Sequence, residues 1–260
     1  MSPSVPTNRF YGARGRLKSV DAGVRRVAPT FGKALFLSYS TKCRGHMVVE
    51  SDAERLVAHI LTLDPGVREF STQPFTVDLI DRRILKTSQS VAEARARHRG
   101  RAGPKFYTPD FLVQWHMGGR TAIEVKFEGY EGDAEYEQKL LMCREVIIAS
   151  GLQFLRVVLP SAPRHPIRSN VPLLTKAAQR HDLWPTPELV QSVEAALEAG
   201  AAPLGALCKE VALSPSLAPV LLVTGVVSAD VGQHPINGDM LVTPAYGDLG
   251  HLALLQGVAK

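Results

Sequence analysis

The sequence has few cysteines, no long apolar run and no internal repeat, and each absence narrows what the chain can be. Cys43, Cys143 and Cys208 lie far apart, with no CxxC pair and no Cys/His cluster, which excludes a thiolate zinc site and predicts buried, reduced thiols. No apolar stretch reaches the ~18 residues of a membrane span, and MSPSVPTNRFYGARGRLK lacks the apolar run of a secretory signal. The expectation is a soluble, cytoplasmic protein. The eight histidines show no ligand spacing and form no Ser/His/Asp constellation, which disfavours nucleophilic catalysis by a side chain.

What is present begins with size and charge. At 260 residues and 45% hydrophobic content the chain can bury one ordinary core and a smaller second one. The net charge of +5 conceals two opposite parts: residues 1–170 hold 26 Lys and Arg against 17 Asp and Glu, whereas residues 171–260 hold 4 against 8. The first part suits a polyanion. Its basic residues cluster between Arg82 and Lys105, opposed only by Glu93. This run reads as a mobile basic loop or frayed helix in which Arg95, Arg97, Arg99, Arg101 and Lys105 follow a phosphate backbone. An ordinary solvated helix over SVAEARARHRGR fits the same residues.

Residues 1–34, rich in Arg and Gly without periodicity, read as an irregular basic arm, and LFLSYSTKCRGHMVV as two strands around a TKCRG turn. Ser51 can cap a helix over SDAERLVAHILTLDP, with Glu54 at its third position in a capping-box arrangement and Leu56, Val57, Ile60 and Leu61 at helical spacing. Strands follow at VREFSTQPFTVDLI, FYTPDFLVQWHM and TAIEVKF, the last two joined at Gly118–Gly119. AEYEQKLLMCREVIIASG predicts a second long helix and FLRVVLP another strand. The order is that of an α/β fold with a mixed sheet. SAPRHPIRSNVP reads as a linker over 161–172. Over 173–260, three short helical segments, PELVQSVEAALEAGA, APLGALCKEVA and SPSLAPVLLVTG, precede the strands VVSADV and DMLVTPA, the pattern of a small winged-helix domain.

The most specific chemical signal is Pro109-Asp110, thirteen intervening residues, then Glu124-Val125-Lys126. Strand alternation points Glu124 and Lys126 to one side, and Asp110 heads the preceding strand across a tight turn. Two carboxylates and an ammonium at one sheet edge suit phosphodiester hydrolysis. Hard oxygen ligands hold Mg²⁺, which polarises the phosphate and activates water, and Lys126 holds the attacking water or stabilises developing charge. The same string also occurs on exposed edge strands, where Glu and Lys form a surface pair worth ~0–1 kcal/mol.

The wider pattern resembles the TnsA family, endonuclease subunits of heteromeric cut-and-paste transposases. The resemblance runs from about Lys42 to Leu159 through Ser51-Asp52-Ala53-Glu54-Arg55, Asp64-Pro65, Val67, Gln73-Pro74, Thr108-Pro109-Asp110-Phe111-Leu112-Val113, Glu124-Val125-Lys126, the helix around Lys139 and FLRVVLP. It implies a restriction-endonuclease-like core over 35–160. It also implies Glu54 as a further active-site carboxylate, so that Glu54, Asp110 and Glu124 hold Mg²⁺, or Mn²⁺ in its place, beside Lys126. A Glu three residues after a Ser cap is also an ordinary capping residue. Glu50 is not at the matching position and reads as surface. Gln73 either orients a carboxylate or contacts DNA, or is a solvent-facing polar residue.

The resemblance implies cleavage at the 5′ ends of a mobile element on chromosomal or plasmid DNA, with a partner transposase acting at the 3′ ends, and a C-terminal domain that engages a regulatory ATPase. Independently, the third C-terminal helix and the strand after it carry no Lys or Arg, and Leu217, Val220 and Leu221 at helical spacing suit a protein partner better than DNA. A stand-alone restriction or repair nuclease and a non-catalytic DNA-binding adapter are the alternatives, and the intact carboxylate and lysine set argues against the adapter.

Overall fold

The computed structural model describes residues 20–22, 25–27, 36–43, 45–130 and 132–259. It is an α/β chain that divides into two compact units, one of Met1–Arg55, Glu69–Glu124 and Tyr130–Arg156, the other of Leu56–Arg68, Val125–Gly129 and Val157–Lys260. Of the basic arm expected over 1–34, only the hairpin β1 (Val20–Ala22) and β2 (Arg25–Val27) lies within the described residues.

β3 (Phe36–Ser40) and β4 (Gly45–Val49) form the expected hairpin, with Phe36 opposite Val49 and Ser40 opposite Gly45. α1 (Asp52–Leu63) follows. Its first turn is closed because the Ser51 hydroxyl accepts the Glu54 N–H at 3.1 Å. Leu56, Val57, Ile60 and Leu61 are all buried, which gives a helix of middling propensity its stability, since burying such a side chain is worth ~1.5–3 kcal/mol.

The expected long strand VREFSTQPFTVDLI is instead two, β5 (Val67–Thr72) and β6 (Thr76–Asp78). The break falls at Gln73, which adopts a left-handed φ of 44° immediately before Pro74, a residue without an N–H for a ladder. The kink carries the chain from one sheet to another. β6 is central in a three-stranded sheet, between β7 (Arg83–Leu85) and β8 (Phe106–Tyr107), with α2 (Ser88–Arg97) between those two in sequence. β5 ends a four-stranded sheet whose order follows the chain: β5, β9 (Phe111–Trp115), β10 (Arg120–Phe127), β11 (Gln153–Leu159). α3 (Ala134–Ala149) connects β10 to β11. Its Cys143, Val146 and Ile147 join Phe75, Val77, Leu79 and Ala122 in one buried cluster.

α4 (Pro166–Ala178) overturns the linker expected over 161–172. The Pro, Ser and Arg that read as a linker are a helix start: Pro166 occupies the first turn, where its missing N–H costs nothing, and Ile167, Asn170 and Val171 are buried. The Asn170 amide donates to the carbonyls of Val231 at 2.8 Å and His234 at 2.7 Å, and its oxygen accepts the Ile236 N–H at 3.1 Å. α5 (Pro187–Ala196), β12 (Ala202–Pro203), α6 (Leu204–Glu210), α7 (Ala218–Val223), β13 (Val227–Ser228) and β14 (Leu241–Pro244) complete the second unit, the strands in the order β12, β14, β13. Cys143 and Cys208 are buried free thiols, whereas Cys43 is only half-buried. Among the described residues no single helix is long and apolar enough to cross a membrane.

Candidate functional site

Asp110 and Glu124 stand next to one another on paired chains. The antiparallel register of β9 and β10 places Phe111 opposite Ile123, and the Asp110 N–H donates to the Ile123 carbonyl at 2.9 Å. The Asp110 carbonyl accepts the Gln73 N–H at 2.8 Å, so backbone bonds hold this residue from two sides. Glu124 is 3% exposed, and one of its oxygens accepts the Tyr136 hydroxyl at 3.0 Å. Lys126 lies two residues further along β10, half-buried, and strand alternation gives it the same side as Glu124.

Tyr136 reaches Glu124 from the first turn of α3. Asp133 caps that turn by accepting the Tyr136 N–H at 2.7 Å. Gly132 has a left-handed φ of 67°, and a Cβ on it would stand 2.5 Å from the Tyr136 ring, so glycine is required there for the ring to take this place. Nothing in the string AEYEQ marks a tyrosine as part of a site; only the tertiary contact does.

Two neutral acids surround Glu124. Burial, and then the negative charge of Glu124, push the Tyr107 hydroxyl far above its usual range and the Cys143 thiol well above its own. The Tyr107 oxygen is buried beside Glu124 and Tyr136 yet makes no hydrogen bond of acceptable geometry among the described residues. Carboxylate oxygens such as those of Glu124, Asp110 and Glu54 are the donors a hard divalent cation takes, but among the described residues the group whose ligand atoms lie within reach of one ion is Asp78, Asp81 and His98 and not these three.

Glu54 does what its capping position predicts. Its carboxylate accepts the Ser51 hydroxyl at 2.7 Å and the Glu50 N–H at 2.9 Å. Glu50, expected at the surface, is half-buried, and its carboxylate accepts the Gln73 side-chain amide at 2.7 Å. The cause is local: Gln73 is 5% exposed, turned inward by the kink before Pro74, and its amide reaches back to the residue before the Ser51 cap. Gln73 is therefore not a solvent-facing residue.

The basic run is ordered rather than frayed. Thr87 and Ser90 form a capping box at the start of α2, and Val91 and Ala94 pack with Leu85 and Phe106. The helix end is fixed by His98, 2% exposed, whose Nε2 lies 3.0 Å from the fully buried Asp78. Arg97 closes the group, 2.9 Å from Asp81 and 3.6 Å from Asp78. Partial burial works to raise the Asp81 carboxyl, but the hydrogen bond and charge of Arg97, with the neighbouring His98 and Arg83, hold it below its usual range. By spacing, Asp78, Asp81 and His98 could hold a metal ion, but the Arg97 guanidinium already supplies positive charge there. No local spacing marks this group, because Asp78 and His98 are twenty positions apart.

Arg95, Arg99 and Arg101 remain exposed, Arg97 is taken up by its carboxylates, and Lys105 is half-buried with its carbonyl accepting the Leu79 N–H at 2.9 Å. Neutralising Arg95, Arg99 and Arg101 together is expected to weaken duplex binding uniformly across sequences and to lower the slope of log affinity against log salt by about 3, one unit per phosphate contact. An unchanged slope in fluorescence anisotropy titrations would reduce α2 to a solvated surface helix.

No protein-family model matches the chain, and no curated protein matches it.

Proposed function

We propose that the chain is a Mg²⁺-dependent DNA endonuclease subunit of the TnsA kind, cleaving at the 5′ ends of a transposable element together with a partner transposase. The observation that carries the reading is the placement of Asp110 beside Ile123 and Glu124 by a backbone hydrogen bond, with Lys126 two residues on. The order α1, β5, β9, β10, α3 and β11, an α/β arrangement whose sheet order follows chain order, supports the reading of a restriction-endonuclease-like core.

When bound, Mg²⁺ supplies Lewis acidity toward a phosphate oxygen and lowers the pKa of water. Asp110, Glu124 and Glu54 are the residues that would hold it, with Mn²⁺ as a substitute. The Tyr136 hydroxyl fixes the orientation of Glu124, and Lys126 brings a positive charge to the strand face where phosphate charge builds up. The test is nicking of a duplex bearing the element's ends by the purified chain with its transposase. Cleavage in Mg²⁺ that EDTA abolishes is expected. Cleavage by the chain alone at unrelated sites would point to a stand-alone nuclease, and DNA binding without cleavage under any metal would leave only an adapter.

For the second unit the proposal is a winged-helix domain that docks on the regulatory ATPase: three helices, α5, α6 and α7, precede the paired β13 and β14. The docking residues differ from those the spacing suggested. Val220 and Leu221 are 3% and 1% exposed and fill the unit's own core, and Leu217 is half-buried. Leu241 on β14 and Tyr246 just beyond it are 62% and 71% exposed. A Leu241→Glu, Tyr246→Glu double variant of the full chain is expected to keep its melting temperature and lose most of its recovery with the ATPase in a pull-down. Unchanged recovery would move the docking surface elsewhere.

A further inference from the structure

The second unit holds a cavity of about 360 Å³, and every residue that lines it belongs to that unit. Distant parts of the chain build it: Glu128 just past β10, Val158 at the end of β11, His165 and Ile167 at the start of α4, Asp230 beyond β13, and part of 253–259. Backbone bonds tie these pieces together. The Glu128 N–H donates to the Leu159 carbonyl at 2.9 Å, and the Val158 N–H to the Val258 carbonyl at 2.9 Å. The cavity is therefore a product of the fold and not of one mobile loop.

Its lining is of two kinds. Ile167, Leu254 and Val258 are buried and apolar, whereas the exposed Glu128 and Asp230 bring two carboxylates. Among the described residues no Lys or Arg lines the cavity. His165 adds no positive charge while its Nδ1 accepts the Ile167 N–H at 3.3 Å, since a ring nitrogen that accepts carries no proton. Each carboxylate has one backbone donor, Ser161 for Glu128 at 3.4 Å and Gln233 for Asp230 at 3.1 Å, and neither has an ion pair among the described residues. Most of their capacity to accept hydrogen bonds stays open. Apolar walls beside open carboxylates are complementary to a side chain with an apolar stem and a cationic head: the stem covers the walls and the head meets the carboxylates. Arginine fits this better than lysine, because its fork reaches two acceptors at once and it is more weakly hydrated. The surrounding charge agrees. Residues 171–260 hold 4 Lys and Arg against 8 Asp and Glu, which draws a basic segment of a partner toward this part of the chain.

We propose that this cavity is a docking pocket for an arginine side chain of a protein partner, with Glu128 and Asp230 as the groups that receive the guanidinium. The proposal rests on no part of the nuclease reading. The isotopically labelled full chain is titrated in NMR with the peptide acetyl-Gly-Leu-Arg-Leu-Gly-amide and with the same peptide carrying citrulline, which has nearly the shape of arginine without its charge. The arginine peptide is expected to shift the amide signals of Gly232, Gln233 and Gly257 saturably, and the citrulline peptide to bind at least about tenfold more weakly. The double variant Glu128→Gln, Asp230→Asn keeps an oxygen for the Ser161 and Gln233 N–H groups, so it should hold its melting temperature and lose at least about tenfold in affinity for the arginine peptide, with each single variant losing less. Glu198→Gln, Asp239→Asn removes the same charge from exposed positions of the second unit outside the cavity and should leave affinity unchanged. Unshifted signals, an unaltered affinity in the Glu128→Gln, Asp230→Asn variant, or an equal loss in the Glu198→Gln, Asp239→Asn variant would overturn the proposal. Agmatine bound as tightly as the arginine peptide would also overturn it, by making the cavity a site for a small cation instead of a partner's side chain.

Discussion

Asp110→Ala is expected to lose Mg²⁺-dependent cleavage by about 10³-fold or more while melting within a few degrees of the unaltered chain. A metal ligand stabilises transition-state charge by several kcal/mol, and each ~1.4 kcal/mol is tenfold in rate. The fold should survive because alanine keeps both backbone bonds that hold this position, the N–H to Ile123 and the carbonyl to Gln73. The side chain is half-exposed and fills no core volume. Lys126→Ala separates the roles further, since it should retain Mn²⁺ binding in calorimetry and lose rate. A fully active Asp110→Ala protein in the nicking assay would reject the metal-ligand role outright.

The α/β order was legible in the sequence because periodicity and turn chemistry agreed at each boundary: the Ser51 cap, the Gly118–Gly119 turn at φ of 91° and 81°, and the helix ending before Gly151. Where two signals conflicted, the reading failed. The alternation through VREFSTQPFTVDLI overrode Pro74, and the structure broke the strand at the residue before it. Composition made 161–172 a linker, although Pro at the first turn of a helix is as ordinary as Pro in a loop. In both cases the decisive information was which atoms end up buried.

The candidate site divides in the same way. That Asp110 and Glu124 lie side by side could be foreseen because strand periodicity turns spacing into register. The nearness of Tyr107 and Tyr136 to Glu124 could not, since each comes from a different element and is placed by a contact that no local spacing encodes, as where the Tyr136 hydroxyl donates to Glu124 at 3.0 Å. Gln73 was intermediate. Its dipeptide with Pro74 marked a special place, but the left-handed turn and the amide contact with Glu50 are properties of the fold.

The second large effect is expected from Asp78→Ala, which should destabilise the chain by roughly 3 kcal/mol or more, because it leaves several buried donors without an acceptor at once, at ~1–3 kcal/mol each. Asp78 is fully buried and accepts the N–H groups of Ile80 and Asp81 at 3.2 and 3.1 Å as well as His98 Nε2, which must carry the proton when it faces a carboxylate. Without it, His98 is left buried with neither ring nitrogen bound to Asp78, its Nδ1 already lacking a partner, and the end of α2 loses its anchor. The melting temperature should fall by roughly 10 °C, and Asp78→Asn, which keeps an oxygen for those donors, should fall by clearly less. Because Arg95, Arg99 and Arg101 lie on and just after α2, Asp78→Ala should also weaken duplex binding at temperatures where the rest of the chain is still folded. A chelator separates the two ways this group can be held together. If Arg97 supplies the positive charge, EDTA leaves the melting temperature of the unaltered chain unchanged; a chelator-induced fall as large as that of Asp78→Ala would instead make Asp78, Asp81 and His98 a structural metal site. Melting of Asp78→Ala at the original temperature would show that the apolar contacts of Val91 and Ala94 alone fix the helix.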